Sequence, residues 1–465
     1  MSDYDLCVLG GGPGGYAAAL YAASAGLSVA IVEKDAFGGT CLNRGCIPAK
    51  GLLQAAEVYR TARGAGGFGF DLPEGEIGVD WPRVNARKQG VVDQLVKGLE
   101  GLITRRKVTM FRGFGALNAD GTVTVDGQRI DATHTIIATG SVPKLFPGME
   151  RGPRVITSDE ATNSTWDTLP NSIAVIGGGV IGVEFASVYV DLGVQTTLLE
   201  FMDDPVLPIG TDRQVADTVA ASLTKRGLRA IGGAKVGTLV DNGDTVTVPY
   251  ERDGRAESLE VEQVLIAVGR RPLSEGMGFT EAGVQLDDRG FVEVDPTTMR
   301  TANPKVYAVG DVVNSPGLAH VAYAEAVVAV QHILGEQPVP VDYGKVANIV
   351  YSHPEIAWAG MTEQQASDAG IEIEVRRSGW PGNGRSMIIG DTEGMVKIIA
   401  EAGGGPVIGI HIAGPWASEL INGGYYAVNW EATPEDLAHL IHAHPSLAEN
   451  LGETVITFSG RSLHH

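Results

Sequence analysis

Tyr4-Asp5-Leu6-Cys7-Val8-Leu9-Gly10-Gly11-Gly12-Pro13-Gly14-Gly15-Tyr16-Ala17-Ala18-Ala19-Leu20-Tyr21-Ala22-Ala23-Ser24-Ala25-Gly26-Leu27-Ser28-Val29-Ala30-Ile31-Val32-Glu33 is the stretch that decides the fold. Residues 4–9 form an apolar run of strand length, 10–15 a glycine turn, 16–25 a run of small residues suited to a closely packed helix, and 28–32 a second strand ending at Glu33. Gly10 permits the tight turn, Gly12 lets a pyrophosphate approach the backbone, and Gly15 lets the helix lie close to the strand. The helix start then offers free N–H groups to phosphate, and Glu33 can accept hydrogen bonds from a ribose diol. Alone, the glycines would fit an ordinary tight turn; with both strands, helix and distal carboxylate in place they read as a dinucleotide site.

Working outward, the pattern recurs. Residues 172–176 are a strand, 177–182 a glycine loop carrying Gly177, Gly179 and Gly182, 183–191 a helix, and 195–199 a strand ending at Glu200. Two copies of one supersecondary unit imply two nucleotide sites. Glu200 favours a ribose hydroxyl and repels a 2′-phosphate, and Phe201-Met202-Asp203-Asp204 brings no Arg or Lys, so the second site should prefer NAD to NADP. Between the copies, a helical region runs from the cysteine segment to about 62. Residues 64–80 read as loop, 83–106 as helix, and 108–137 as short strands with turns at Asp120-Gly121 and Asp126-Gly127. Beyond 343 the fingerprints stop. Strand-like runs at 346–351, 394–400 and 407–413 alternate with helical ones at 362–369, 417–429 and 433–438, as in a separate α+β domain. The expected organisation is α/β: two Rossmann-like units at 1–145 and 146–270, a central segment at 271–342, and a C-terminal α+β domain at 343–465.

The formal charge of −21 argues against nucleic acid or anionic membrane as a partner, because such binding needs a basic footprint. Three cysteines are too few for a secreted disulfide scaffold. The chain enters its first strand without a basic leader or a long apolar helix, so it is expected to be soluble and cytoplasmic, or a trimmed mature protein. Cys7, inside the first strand, reads as a buried structural thiol. The terminal His464-His465 could be native or the remnant of a tag.

Cys41 and Cys46 stand close behind the first unit. In an ideal helix, residues so spaced have Cα atoms roughly 8–9 Å apart, and a disulfide needs less than about 7 Å. A bonded pair would therefore require a break in the helix, which Gly45 permits. Two reduced, buried thiols are the alternative. Lys50, one turn further on, reads from its position as a helix-surface lysine. His442 and His444 could be an acid/base site, a metal pair or loop histidines.

Taken together, the residues resemble the flavin-dependent pyridine nucleotide–disulfide oxidoreductases over essentially the whole chain. The likeness is carried by Gly39-Thr40-Cys41-Leu42-Asn43-Arg44-Gly45-Cys46-Ile47-Pro48-Ala49-Lys50, Ile137-Ala138-Thr139-Gly140-Ser141 and Ala267-Val268-Gly269-Arg270-Arg271-Pro272. It continues in Val306-Tyr307-Ala308-Val309-Gly310-Asp311, Val350-Tyr351-Ser352-His353-Pro354-Glu355 and His442-Ala443-His444-Pro445-Ser446-Leu447-Ala448-Glu449. The resemblance implies FAD in the first site, with Asp311 on its ribitol and with Thr139, Gly140 and Lys50 near it. It implies NAD in the second site, with Gly269 nearby. It makes Cys41/Cys46 a redox disulfide, Cys46 facing the flavin and Cys41 exchanging with a dithiol substrate. Lys50 would pair with Glu184. His444 would be the acid/base, held by Glu449, and would complete the site of a second subunit in a homodimer whose interface is the C-terminal domain.

Within the family the likeness is to the branch that oxidises protein-bound dihydrolipoamide with NAD, working on lipoyl domains of 2-oxoacid dehydrogenase or glycine-cleavage complexes. The alternatives are a reductase of another small disulfide such as glutathione, which the Glu200 pattern disfavours, and a redox-inactive flavoprotein subunit. No extra C-terminal cysteine pair is present, which weighs against mercuric and large thioredoxin reductases. Three stretches depart from the family pattern. Arg44 would make the active-site mouth more cationic. Residues 379–385 are unusually rich in glycine. Tyr323-Ala324-Glu325-Ala326 replaces a more acidic run.

Overall fold

The computed structural model describes residues 2–71, 77–163 and 166–464. Part of the loop expected at 64–80 (residues 72–76) and the terminal His465 lie outside the described residues.

Both glycine fingerprints sit at the centre of parallel sheets. In the first sheet the strands run in the order Val306–Ala308, Ala132–Ile137, Tyr4–Leu9, Val29–Glu33, Thr109–Arg112, every pair parallel. The second repeats the design with Arg229–Ile231, Gln195–Leu199, Ser172–Ile176, Gln263–Ile266 and Val155–Thr157. Strands buried on both faces by crossover helices read as continuous apolar runs, which is why the runs at 4–9, 172–176 and 195–199 coincide with the observed strands. The helices following the fingerprints start earlier than expected, as Pro13–Ser24 and Val180–Asp191, with Gly12 and Gly179 as their N-caps. The third glycine of each motif thus lies inside the first helical turn.

The chain leaves the first sheet after Ile137 and returns to it at Val306, with the second sheet in between. The antiparallel pair Ser141–Pro143 and Arg270–Pro272 forms the crossing. The helix Trp81–Arg105 starts where Asp80 accepts a hydrogen bond from Arg83 N–H at 3.1 Å, with Pro82 in its first turn.

The C-terminal part is a five-stranded antiparallel sheet in the order Asn348–Val350, Glu355–Gly360, Val407–Gly414, Met395–Glu401, Ile373–Gly379, with the helix Ala417–Asn429 laid across it. Two of these strands lie outside the expected set. Glu355–Gly360 begins at a carboxylate beside a proline. Ile373–Gly379 carries charged residues on a half-exposed edge. Neither offers a clean apolar alternation, and both form because the central strands pair with them.

Lys397 fastens this sheet to the second dinucleotide unit. Its ammonium is fully buried and donates to Asp212 Oδ1 and Oδ2 at 2.8 and 2.7 Å, and it also pairs with Glu363. Asp212 is the N-cap of the helix Arg213–Lys225. Burial opposes ionisation of Asp212, but the bond from Lys397 and its neighbours outweigh burial and hold the carboxyl below its usual range. Lys397→Met strands that buried charge and should destabilise the protein by about 3–5 kcal/mol in urea unfolding. Because the folded carboxyl titrates lower than the unfolded one, the stabilisation is complete above pH ~4 and fades as the pH falls further; the variant should lack that component of acid sensitivity.

Candidate active site

A cavity of about 400 Å³ runs between the two parallel sheets, within the roughly 300–1,000 Å³ usual for small-molecule sites. Gly10, Gly12, Glu33, Cys41, Cys46, Lys50, Thr139, Gly140, Glu184 and Asp311 all line it. The fingerprint glycines divide by what surrounds them. A Cβ on Gly10 would lie 2.3 Å from the Ala138 carbonyl oxygen, and one on Gly15 1.8 Å from that of Gly10. Gly177 and Gly182 are confined the same way, at 2.4 Å from Ala267 O and 1.9 Å from Gly177 O. The middle glycines differ. Nothing lies within 4 Å of a Cβ on Gly179, and a Cβ on Gly12 would meet only Gly39 Cα at 3.8 Å. Two glycines of each motif thus close the turn against helix and strand, and the third leaves open backbone where a pyrophosphate would lie.

The two distal carboxylates are held alike. Gly11 N–H donates to Glu33 Oε2 at 2.8 Å and Asp35 N–H to Oε1 at 2.8 Å. Gly178 N–H donates to Glu200 Oε2 at 2.7 Å and Met202 N–H to Oε1 at 2.9 Å. Each oxygen keeps a lone pair for a ribose hydroxyl. Arg213 is brought to the segment after Glu200, but Asp204 (3.2 Å) and Asp217 (2.8 Å) engage it. The donor sets therefore fit two dinucleotides. Gly177, Gly179, Gly182, Glu200 and Gly269, expected at the second site, do not line the cavity.

The cysteines sit on either side of a helix break. Gly39–Arg44 is a short helix, Gly45 interrupts it at φ −129°, ψ −112°, and Cys46 opens the helix Cys46–Gly64. The two are unbonded thiols. The neighbouring Cys41 is the largest influence lowering the Cys46 thiol below its usual range, with help from Lys50 against burial; Cys46 and burial push Cys41 up. Position agrees, since Cys46 lies at the N-terminus of a long helix and Cys41 does not. Cys7 is fully buried, and burial raises its thiol to about 12.

Lys50 is no surface lysine. Its ammonium donates to both oxygens of Glu184, at 2.9 and 2.8 Å, and lies 4.8 Å from the centre of the Tyr351 ring. Burial alone would ease its proton off, but Glu184 outweighs that and raises it. Asp311 accepts from Ser141 Oγ at 2.6 Å, and Arg270 grips the same serine through its Oγ at 2.7 Å and its carbonyl at 2.8 Å. Thr139 Oγ1 is turned to the Leu273 carbonyl at 2.7 Å. Ser141, Arg270 and Tyr351 were not singled out from the sequence, although each lies in one of the quoted motif stretches.

The departures find partners. Arg44 pairs with Asp35, so the cationic mouth expected from the sequence is neutralised across the cavity wall. Tyr323 shares a 2.5 Å hydrogen bond with Tyr16, and buried Glu325 accepts from Gly310 N–H at 2.6 Å and Tyr343 at 2.9 Å. His444 and Glu449 stand apart from the cavity in the C-terminal part. His444 Nδ1 lies 2.7 Å from Glu449 Oε1, and Ser446 N–H donates to Oε2 at 2.7 Å. The imidazole is 80 % exposed.

The model for "Pyridine nucleotide-disulphide oxidoreductase" matches residues 4–326, and that for the same family's dimerisation domain matches 346–455. The chain belongs to this family. Among curated relatives of this pyridine nucleotide–disulphide oxidoreductase are dihydrolipoyl dehydrogenases of Thermus scotoductus (39 % identical, over 100 % of this chain and 99 % of the relative) and Bacillus subtilis (37 %, over 100 % and 99 %). The mitochondrial dihydrolipoyl dehydrogenase of Canis lupus familiaris is 36 % identical over 99 % of this chain and 92 % of its own length. Among solved structures, LpdA of Mycobacterium tuberculosis superposes with TM-score 0.89 at 28 % identity, over 97 % of this chain and 99 % of that one. The HOCl-induced flavoprotein disulfide reductase RclA of Escherichia coli superposes with TM-score 0.87 at 27 % identity, over 97 % and 99 %. FAD and NAD are the cofactors of this family member. Among the described residues no helix is long and apolar enough to cross a membrane.

The glycine geometry yields a paired expectation. Gly182→Ala forces a Cβ into Gly177 O and should cost the second unit its fold, seen as a lower unfolding midpoint. Gly179→Ala meets open space; it should fold normally, keep its flavin absorbance and raise the KM for NAD about tenfold or more, because the new methyl occupies the phosphate approach.

Proposed function

We propose that the chain is a dihydrolipoamide dehydrogenase, oxidising protein-bound dihydrolipoamide to lipoamide and reducing NAD. The observation that carries the reading is one cavity joining the Cys41/Cys46 pair, the first dinucleotide fingerprint, and Lys50 with its partner Glu184 from the second unit. Full-length relatives bearing that activity in their names support it.

In the working direction Cys41 and Cys46 start as a disulfide. His444 takes a proton from one thiol of the substrate, and Glu449 stabilises the resulting imidazolium. The substrate thiolate attacks Cys41 Sγ, forming a mixed disulfide and releasing Cys46 as thiolate. The second substrate thiol then attacks the substrate sulfur held by Cys41, breaking its bond to Cys41 Sγ; the lipoyl disulfide is completed and Cys41 leaves as a thiol carrying that second proton. Lys50 and the helix N-terminus stabilise the Cys46 thiolate. The chemistry supplied by the bound flavin is passage of that electron pair to NAD. Gly10, Gly12, Gly15, Glu33, Thr139, Gly140 and Asp311 hold FAD; Gly177, Gly179, Gly182, Glu200 and Gly269 hold NAD.

His444 lies outside its own chain's cavity, so the working unit is a homodimer in which His444 of each protomer serves the cysteines of the other. The partners are lipoyl domains, and the location is the cytoplasm.

Steady-state rates with dihydrolipoamide plus NAD or NADP, and with glutathione disulfide plus NADH or NADPH, test the reading. Dihydrolipoamide with NAD should exceed every other pairing by at least about a hundredfold, and comparable turnover of the glutathione pair would overturn the assignment. Cys46→Ser should abolish dithiol oxidation. His444→Gln should lower it about a hundred- to ten-thousandfold while full flavin content is kept, as expected for loss of general base catalysis.

A further inference from the structure

The loop that presents His444 is held by few hydrogen bonds, and Leu447, packed into the core of the C-terminal sheet, is its one buried side chain. Residues 440–448 contain no helix or strand, and the imidazole at their centre is largely exposed. Among the described residues, one hydrogen bond reaches 440–448 from outside the C-terminal stretch 433–460, from Asn383 Nδ2 to the Ser446 carbonyl at 2.9 Å. Asn383 lies in 379–385, the glycine-rich departure that the reaction leaves without a role.

We infer that Asn383 is a positioning residue for the acid/base pair, acting through Ser446 and Glu449 on His444. This rests on the reading of His444 given above. Ser446 is gripped on both sides: its carbonyl takes the Asn383 amide, and its N–H donates to Glu449 Oε2, whose other oxygen orients His444 Nδ1. The far end of the chain is rigid. Asn383 is 7 % exposed, its backbone N–H donates to the Trp380 carbonyl at 2.8 Å, and its Oδ1 caps the helix Gly384–Ile389 through Ser386 N–H at 2.9 Å. Trp380 is fully buried; its indole N–H donates to Ala413 O at 2.6 Å on the strand Val407–Gly414, and its ring covers Gly414, where a Cβ would fall 2.0 Å from Nε1. One continuous series of contacts thus runs from the central strand of the C-terminal sheet to an exposed imidazole.

The two ends of the Asn383 amide have separable tasks, which makes the inference testable. Asp and Ser cap helices about as well as Asn, so Asn383→Asp and Asn383→Ser keep the cap on Ser386. Both lose the donor to Ser446, and the aspartate also sets a carboxylate oxygen against the Ser446 carbonyl. In flavin-loaded protein, dihydrolipoamide turnover should fall about three- to tenfold in N383S, the worth of one hydrogen bond, and further in N383D. Reduction of ferricyanide by NADH, which needs no proton transfer through His444, should stay at the wild-type rate in both. Amide hydrogen exchange across 440–448 should accelerate in the same order, wild type, N383S, N383D. Wild-type exchange and wild-type dithiol turnover in N383D would overturn the inference and leave Asn383 as a helix cap. If the wild-type protein itself fails to oxidise dihydrolipoamide, the functional reading falls, and the exchange measurement still decides whether Asn383 holds the loop.

Discussion

The carboxylate of Glu184 is the point on which the three parts of the molecule converge. It projects from the helix after the second glycine fingerprint, accepts both bonds from Lys50 on the redox helix of the first unit, and takes Tyr351 N–H at 3.0 Å from the start of the C-terminal sheet. A side chain only 5 % exposed would be costly as an isolated charge. With an ammonium and a backbone N–H directed at it, it becomes a joint that fixes where the redox helix lies relative to the second sheet. The cavity exists in its present shape because this joint holds its walls. The same lysine lowers Cys46 and raises no such field at Cys7, which lies in the first sheet with no cation acting on it. Charge placement and domain placement are here one arrangement.

The duplicated unit shows how far one local solution can be reused. In both copies the first and third glycines are demanded by backbone contact, the middle one faces open space, and the distal carboxylate is tied to the glycine turn by one N–H and to the following residue pair by another. The copies differ in what each helix does next. The first carries Tyr16, joined to Tyr323. The second carries Glu184 and, one turn later, Ser187, whose hydroxyl accepts from His353 N–H at 3.1 Å. The phosphate-binding part is generic. The residues just beyond it weld each unit to its neighbours.

That division also explains what could be read in advance. Strands and turns of the two βαβ units were legible because glycine spacing and apolar runs encode them locally. The helix break at Gly45 was legible as a condition on the cysteine spacing. The Lys50–Glu184 pair was reachable only through family likeness, since 134 positions of chain separate the partners. The partner of Arg44 was missed for a similar reason: Asp35 is nearby in sequence, but only the fold turns the two side chains toward each other. In the C-terminal sheet the strands Glu355–Gly360 and Ile373–Gly379 owe their existence to the strands they pair with, information that no window of sequence contains. Asn383 belongs to the same class, because its importance lies in the Ser446 carbonyl it meets.

The separation of His444 from the cysteines has a physical logic. A thiolate–cation pair beside a flavin works best where water is scarce and fields are strong; Glu184 is buried, and Lys50 is shielded from solvent over about two-thirds of its side chain. On the proposed reading His444 belongs to the site of the second subunit, so its imidazole stands clear of its own chain, 80 % exposed. Setting the imidazole on a loop of the C-terminal part costs positional precision, since loops hold geometry less well than helices and strands. The structure answers that weakness with a short series of hydrogen bonds leading back to a sheet. Glu449 shows the balance: burial opposes its ionisation, and the bonds from Ser446 N–H and His444 outweigh it, holding the carboxyl below its usual range. An ionised Glu449 keeps the imidazole oriented across the neutral pH range.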